Sequence, residues 1–234
     1  TDSELLKNND LRLALKYAID REELQKSLLV GTGAVGNDHP IPSWNPLYSK
    51  DVPKRAYDPE KAAFHLKKSG FSGSIPLSVS DNGFTGSADA AQLYQASAAK
   101  AGITIDVERV PSDGYWDEVW LKKPFVASNW SVRPTADAML SMLLQTGAPW
   151  NETGWSNETF DKLLAASRVE LDEAKRKQIY HDMQVLIVED GGELIPVFTD
   201  NLAAASGKVK GYVSVPGGGD MSGYRLAEKV WLEE

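Results

Sequence analysis

Residues 74–110 constrain the fold more than any other stretch of this chain. Residues 74–80 are apolar and β-capable, Asp81-Asn-Gly-Phe-Thr-Gly86 is rich in turn residues, and residues 87–101 form an alanine-rich helical run. Gly102 stops that run, and residues 103–110 alternate apolar and polar side chains as a second strand would. Strand, helix and strand at this spacing make a βαβ unit, which predicts parallel strands joined by a right-handed crossover. The expected class is therefore α/β, a mixed sheet with a βαβ unit and flanking helices.

A second strand, loop and helix lie further on. Residues 125–130 are short and β-capable, Pro134 stands where a first helical turn would begin, and residues 135–144 continue with helical spacing. Loops leaving the carboxyl ends of strands hold small molecules in α/β folds, which makes Asn129, Trp130, Ser131 and Arg133 binding candidates. The competing reading makes Trp130 a core residue and Arg133 a solvated charge. Phe84, in the loop after the first strand of the βαβ unit, either meets Trp130 across a common edge or folds back onto the core. Tyr115, Trp116, Val119 and Trp120 crowd a short helix over residues 112–120, as core packing or as a ligand wall to which Trp116 would belong. The loop Trp150-Asn-Glu-Thr-Gly-Trp155 is again aromatic and polar, suited to holding something or to packing on itself.

The flanking helices announce themselves by their caps. Asn8-Asn9-Asp10 precedes an amphipathic run carrying Leu11, Leu15, Ala18 and Ile19, and Asp20 with Glu23 forms a capping box for residues 21–30. Asp58, Pro59 and Gly70 mark the start and stop of a third helix. Two more helices are expected over 157–170 and 172–190, then a strand over 193–198 and a loop-rich remainder carrying Pro216-Gly-Gly-Gly219. Between the second and third helices, residues 31–56 form a long irregular connection centred on Gly36-Asn-Asp-His-Pro-Ile-Pro42, of the kind that is functional or wraps a surface. His39 within it is read first as a hydrogen-bonded structural residue.

Composition excludes several classes. A chain of 234 residues with 42% hydrophobic and 25% charged residues buries a substantial core, and length alone allows one large domain or two smaller ones. A net charge of −8 makes nucleic acid and anionic membranes unsuited partners. No apolar run is long enough to cross a bilayer. The absence of cysteine removes disulfides, thiolate metal sites and cysteine nucleophiles. Three histidines, far apart and outside metal-ligand spacing, and no Ser-His-Asp arrangement leave no metal, catalytic or cofactor assignment. The chain begins at Thr1, without initiator Met or secretory leader, and is read as a mature or trimmed segment.

Asp10-Leu-Arg-Leu-Ala-Leu-Lys-Tyr-Ala-Ile-Asp-Arg-Glu-Glu-Leu24, Tyr57-Asp-Pro-Glu-Lys-Ala62 and the lysine-rich helix end before Gly70-Phe71 resemble family 5 of the bacterial extracellular solute-binding proteins. Lys100-Ala-Gly-Ile103, the Trp130 strand, residues 157–161 and Arg176-Lys-Gln-Ile-Tyr180 before Ile195-Pro196 continue the likeness in the family's order over nearly the whole chain. Gly36-Asn-Asp-His-Pro-Ile-Pro42 looks like a subgroup feature with no assigned ligand.

The resemblance implies a binding protein of an ABC importer for peptides, nickel complexes, opines or related solutes. Its fold would be a type II periplasmic-binding-protein lobe, here the C-terminal one over residues 1–206, with residues 207–234 a tail returning to an N-terminal lobe absent from this chain. Location would be periplasmic or an outer-face lipoprotein, and the partners a small-molecule or peptide solute, ABC permease subunits and the other lobe.

One departure from the family pattern concerns charge. Peptide-binding relatives place an aspartate three residues after the strand tryptophan, to pair with the peptide α-ammonium, and this chain has Arg133 there. A guanidinium suits an anionic group, so the expected solute is small and anionic or peptide-like in a different pose. The alternatives to an anion on Arg133 are that Asp137 swings in to supply the acid or that it neutralises Arg133. Two alternatives stand beside the binding module: a carboxylate-pair hydrolase drawing on the 33 acidic residues, and a metal-chelate binder using His39.

Overall fold

The computed structural model describes residues 3–215 and 223–233, so the expected glycine run after Pro216 lies outside the described residues. In chain order the elements are α1 (Asn9–Ala18), α2 (Arg21–Leu28), β1 (Ala34–Val35), α3 (Pro59–Ser69), β2 (Ser74–Val79), α4 (Ser87–Ala99) and β3 (Thr104–Arg109). A single π turn, Tyr115–Val119, precedes α5 (Ala136–Leu143), α6 (Glu158–Val169), α7 (Glu173–Asp190) and β4 (Val197–Phe198). A short hairpin of β5 (Val209–Lys210) and β6 (Trp231–Leu232), with a 3-10 turn Leu226–Glu228 between them, ends the chain.

Helix starts follow the local chemistry of the sequence. Asn8, Asp20, Asp58, Asn157 and Asp172 each accept a hydrogen bond from a backbone N–H of the first turn. Pro59 occupies the first position of α3, and Gly70 closes that helix at φ 71°, a left-handed conformation that favours glycine. The box at Asp20 forms on one side, because the Glu23 carboxylate accepts from Ser27 Oγ at 2.6 Å. In α3 Ala62 is buried while Phe64 is exposed, packing edge-on against His65.

The βαβ unit is present as expected. β2 and β3 are parallel, with Ser74 opposite Thr104 and Val79 opposite Arg109. α4 joins them, with Ala91, Tyr94 and Ala98 buried and Tyr94 donating to the Leu15 carbonyl at 2.9 Å. Small alanines let the helix lie close to the sheet, where Gln95 Nε2 reaches the Ile105 carbonyl at 2.7 Å.

Three expected elements shrink. The strand over 125–130 is a single parallel bridge between Val126 and Ser78, held by Ser78 N to Phe125 O and Ala127 N to Ser78 O, both 3.0 Å. The strand over 193–198 is reduced to Val197–Phe198, antiparallel to β1, because Pro196 has no N–H and the Ile195 N–H is taken by the Asp38 side chain at 3.1 Å. The helix over 112–120 is the π turn alone. Pro134 also precedes the helix rather than opening it, since the Thr135 hydroxyl takes the Ala138 N–H at 3.1 Å and makes Thr135 the cap.

Two apolar cores result. One joins α1, α2, α4, β2 and β3 through residues such as Leu11, Leu15, Leu24, Ile75 and Ile105. The other joins α5, α6 and α7 with Ile41 through Leu140, Leu143, Trp155, Phe160 and Met183. Between them the connection over 31–56 plunges inward: Asn37, Asp38, His39 and Ile41 are buried. The Arg21 guanidinium donates to both Asp38 oxygens at 2.7 and 2.8 Å, and Arg55 Nε lies 3.5 Å from the same carboxylate.

The C-terminal end of α7, whose last-turn carbonyls have no partner within the helix, is capped by cations from elsewhere. Lys16 Nζ donates to Ile187, Val188 and Gly191, Arg55 to Val188, and Arg12 to Asp190. Burial lowers the Lys16 ammonium pKa to about 8. Among the described residues no helix is long and apolar enough to cross a membrane.

Candidate functional site

Because β2, β3 and the 125–127 segment run in the same direction, the chain leaves all three at one edge, the edge where an α/β sheet presents its ligand loops. The loop after β2 is held there by the Asn82 amide on the Ser112 carbonyl at 2.9 Å. Tyr115, at the head of the π turn, donates to the Ala127 carbonyl at 2.6 Å. Burial raises its pKa to about 12, so the phenol stays a donor. Gly83 packs so tightly that a Cβ would stand 2.5 Å from the Ala127 carbonyl oxygen, and the Asn129 amide donates to the Gly83 carbonyl.

The edge faces an open groove of about 2160 Å³, lined among others by Phe84, Phe125, Asn129, Trp130, Ser131, Glu152 and Glu193. Trp130 lies at the centre of an aromatic cluster, with ring centroids 6.5 Å from Trp120 and 6.0 Å from Trp150. Its indole Nε1 donates to Glu152 at 2.9 Å; Ser128 Oγ donates to the same oxygen at 2.9 Å, and Trp120 Nε1 donates to the other carboxylate oxygen. Glu193 is buried, and desolvation, aided by the nearby Glu152 charge, raises its pKa well above the usual carboxylate range.

The structure divides the sequence-derived candidates. Asn129, Trp130, Ser131 and Phe84 line one groove, although the ring neighbours of Trp130 are tryptophans rather than Phe84. Arg133 stands beside it, its guanidinium 5.4 Å from the Trp130 ring centroid, donating to the Ser131 carbonyl at 2.9 Å and touching Met142 Sδ at 3.4 Å. It borders a crevice of about 10 Å³, room for one water, whose walls Pro40, Pro42, Val132 and Met139 also border the groove. Asp137 neither swings in nor neutralises Arg133, because Arg168 Nε holds it at 2.7 Å. Trp116 packs on Tyr115 and Trp120 outside the groove lining, half of an aromatic turn whose other half, Tyr115 and Val119, is core.

His39 is enclosed, accepting the Ile41 N–H at 3.4 Å, and burial lowers its pKa to about 4. The His39 chelate alternative therefore loses its residue to the interior. Among the described residues no group of three or more metal-ligating side chains converges. Sequence reasoning passed over Glu152 and Glu193. The signal for Glu152 was an acid set between Trp150 and Trp155, whereas Glu193 read as the first residue of a strand.

The family model for "Bacterial extracellular solute-binding proteins, family 5 Middle" matches residues 1–152. The chain belongs to this family. Among the relatives it matches, the dipeptide-binding protein of Escherichia coli K12 is 26% identical over 224 residues, 88% of this chain and 40% of the relative. The nickel-binding protein NikA of Staphylococcus aureus is 24% identical over 232 residues, 92% of this chain and 44% of the relative. The oligopeptide-binding protein AppA of Bacillus subtilis, solved with a nonapeptide, superposes with a TM-score of 0.82 at 23% identity, covering 99% of this chain and 49% of that one. This family 5 chain thus has the α/β fold of such proteins and spans less than half the length of these relatives. They are solute-binding proteins, which is the general role of the family.

Proposed function

We propose that this chain forms one wall of the solute site of an ABC-importer substrate-binding protein, and that Arg133 anchors an anionic group of the solute. The observation that carries the reading is Arg133 itself: a guanidinium beside the groove, leaning on Trp130, with no carboxylate within ion-pair distance among the described residues. Its planar fork matches a carboxylate or phosphate, and each charge-assisted hydrogen bond contributes about 1.5 to 3 kcal/mol. Trp130 and Phe84 supply apolar walls, and Ser131 a polar edge. The opposite wall comes from a part of the protein outside this chain. Residues 1–206 are the ligand-binding lobe and residues 207–234 the tail that returns to the other lobe. Closure of the two lobes buries the solute, and a permease reads the closed form at the periplasmic or outer face of the membrane, without chemical turnover.

Arg133→Ala in the complete protein tests the reading. Affinity for a carboxylate-bearing peptide falls about 10- to 100-fold, the equivalent of one charge-assisted hydrogen bond. Unchanged affinity refutes the anchor.

A further inference from the structure

Glu152 presents a carboxylate to the groove with no cation to balance it. Its three partners, Ser128 Oγ, Trp130 Nε1 and Trp120 Nε1, are neutral donors, and no lysine, arginine or histidine pairs with it among the described residues. A carboxylate offers about four lone-pair sites, so one remains open, on the oxygen that takes Trp120 alone. Glu193 lines the same groove at 9% exposure, and its Oε1 is buried without a hydrogen-bond partner. Lys16 lies within electrostatic range of Glu193, but its ammonium is spent on three carbonyls of the α7 end. The two carboxyl groups line the same groove within electrostatic range of each other, and Glu152 is bonded to Trp130, one of three indoles whose centroids lie 6.0 to 6.5 Å apart. Indole faces attract organic cations, and the Glu152 carboxylate, held only by neutral donors, adds an opposite charge beside them.

We propose that Glu152, backed by Glu193 and flanked by Trp130, is a subsite for a primary ammonium or guanidinium group of the solute. A divalent metal is a poor occupant, because it requires several free oxygen ligands and Glu152 has one lone pair left. Resting on the assignment of Arg133 as an anion anchor, the inference narrows the solute to a zwitterion. Its cation and anion are read from two positions around one indole, for Trp130 donates to Glu152 and also lies under Arg133.

The test exposes the complete protein, in its wild-type, Glu152→Gln and Arg133→Ala forms, to a mixture of lysine-free peptides two to five residues long. The mixture is supplied free, N-acetylated or C-amidated, and retained peptide is quantified by mass spectrometry after confirming that each variant keeps its melting transition. Wild type retains free peptides at least tenfold better than acetylated ones, and Glu152→Gln abolishes that preference without weakening the acetylated forms. A preference that survives in Glu152→Gln overturns the subsite, as does equal loss of both forms, which marks Glu152 as a mere support for the indoles. If Arg133→Ala abolishes discrimination against amidated peptide while Glu152→Gln changes nothing, the cation subsite alone fails. Retention of no form by wild type refutes both assignments.

Discussion

Replacing Asp38 with Asn removes one charge from the centre of the molecule and keeps the side chain's shape. In the native fold that carboxylate accepts two hydrogen bonds from Arg21, at 2.7 and 2.8 Å, and the Ile195 N–H at 3.1 Å, with Arg55 Nε at 3.5 Å. The residue is fully buried, and so are both arginine side chains to within 3%. An asparagine retains one acceptor oxygen and turns an N–H₂ toward a guanidinium, leaving buried Arg21 without a counter-ion and Arg55 with the half-exposed Glu189 alone. Breaking a buried pair in this way costs about 3–5 kcal/mol, a large fraction of the 5–15 kcal/mol that typically holds a domain together. Glu189→Gln is the matched control, because Glu189 meets Arg55 at 3.3 Å but is 55% exposed, and such a pair is worth less than about 1 kcal/mol. Urea denaturation of the complete protein, comparing both variants with wild type, reads the difference. A loss below about 1 kcal/mol for Asp38→Asn, equal to that of the control, would refute the view that this carboxylate neutralises the interface between the two cores.

Lys16→Met tests the buried ammonium through pH. Because the folded pKa is about 8 against 10.5 in the open chain, the unfolded state binds the extra proton between those values, and wild-type stability rises with pH across that window by about 3 kcal/mol from this group. The wild-type minus variant difference in denaturation free energy follows that rise if the reasoning holds and is flat if it does not. Gly83→Ala forces a methyl to 2.5 Å from the Ala127 carbonyl oxygen and 3.1 Å from that of Ser80, so thermal melts show a loss of about 1–3 kcal/mol, accompanied by weaker solute binding as the loop carrying Trp130 is displaced.

How legible each feature was depended on how local its cause is. Asn8, Asp20, Asp58 and Asn157 could be read as caps because each bonds an N–H two or three residues away. The βαβ unit could be read because its spacing and alternation lie within 37 residues, from Ser74 to Val110. The strand over 125–130 was overstated, since β propensity says nothing of how far a neighbour will pair, and β2 offers that segment one bridge. The connection over 31–56 was read as a loop that is functional or wraps a surface, and Asp38 instead draws its centre inward through Arg21 and Arg55, 17 residues away on either side. No local pattern announces such a network. Trp130 and Phe84 were chosen from loop position, and both line the groove. Glu152 and Glu193, 41 residues apart, come to line one groove only when the loop after α5 and the segment after α7 fold onto it.

Calorimetric titration of the complete protein with one short peptide, free, N-acetylated and C-amidated, tests the assignment of Arg133 most directly. C-amidation removes the anion that the guanidinium would hold, and the account predicts that affinity then falls about 10- to 100-fold. An amidated peptide that binds as tightly as the free one would contradict it.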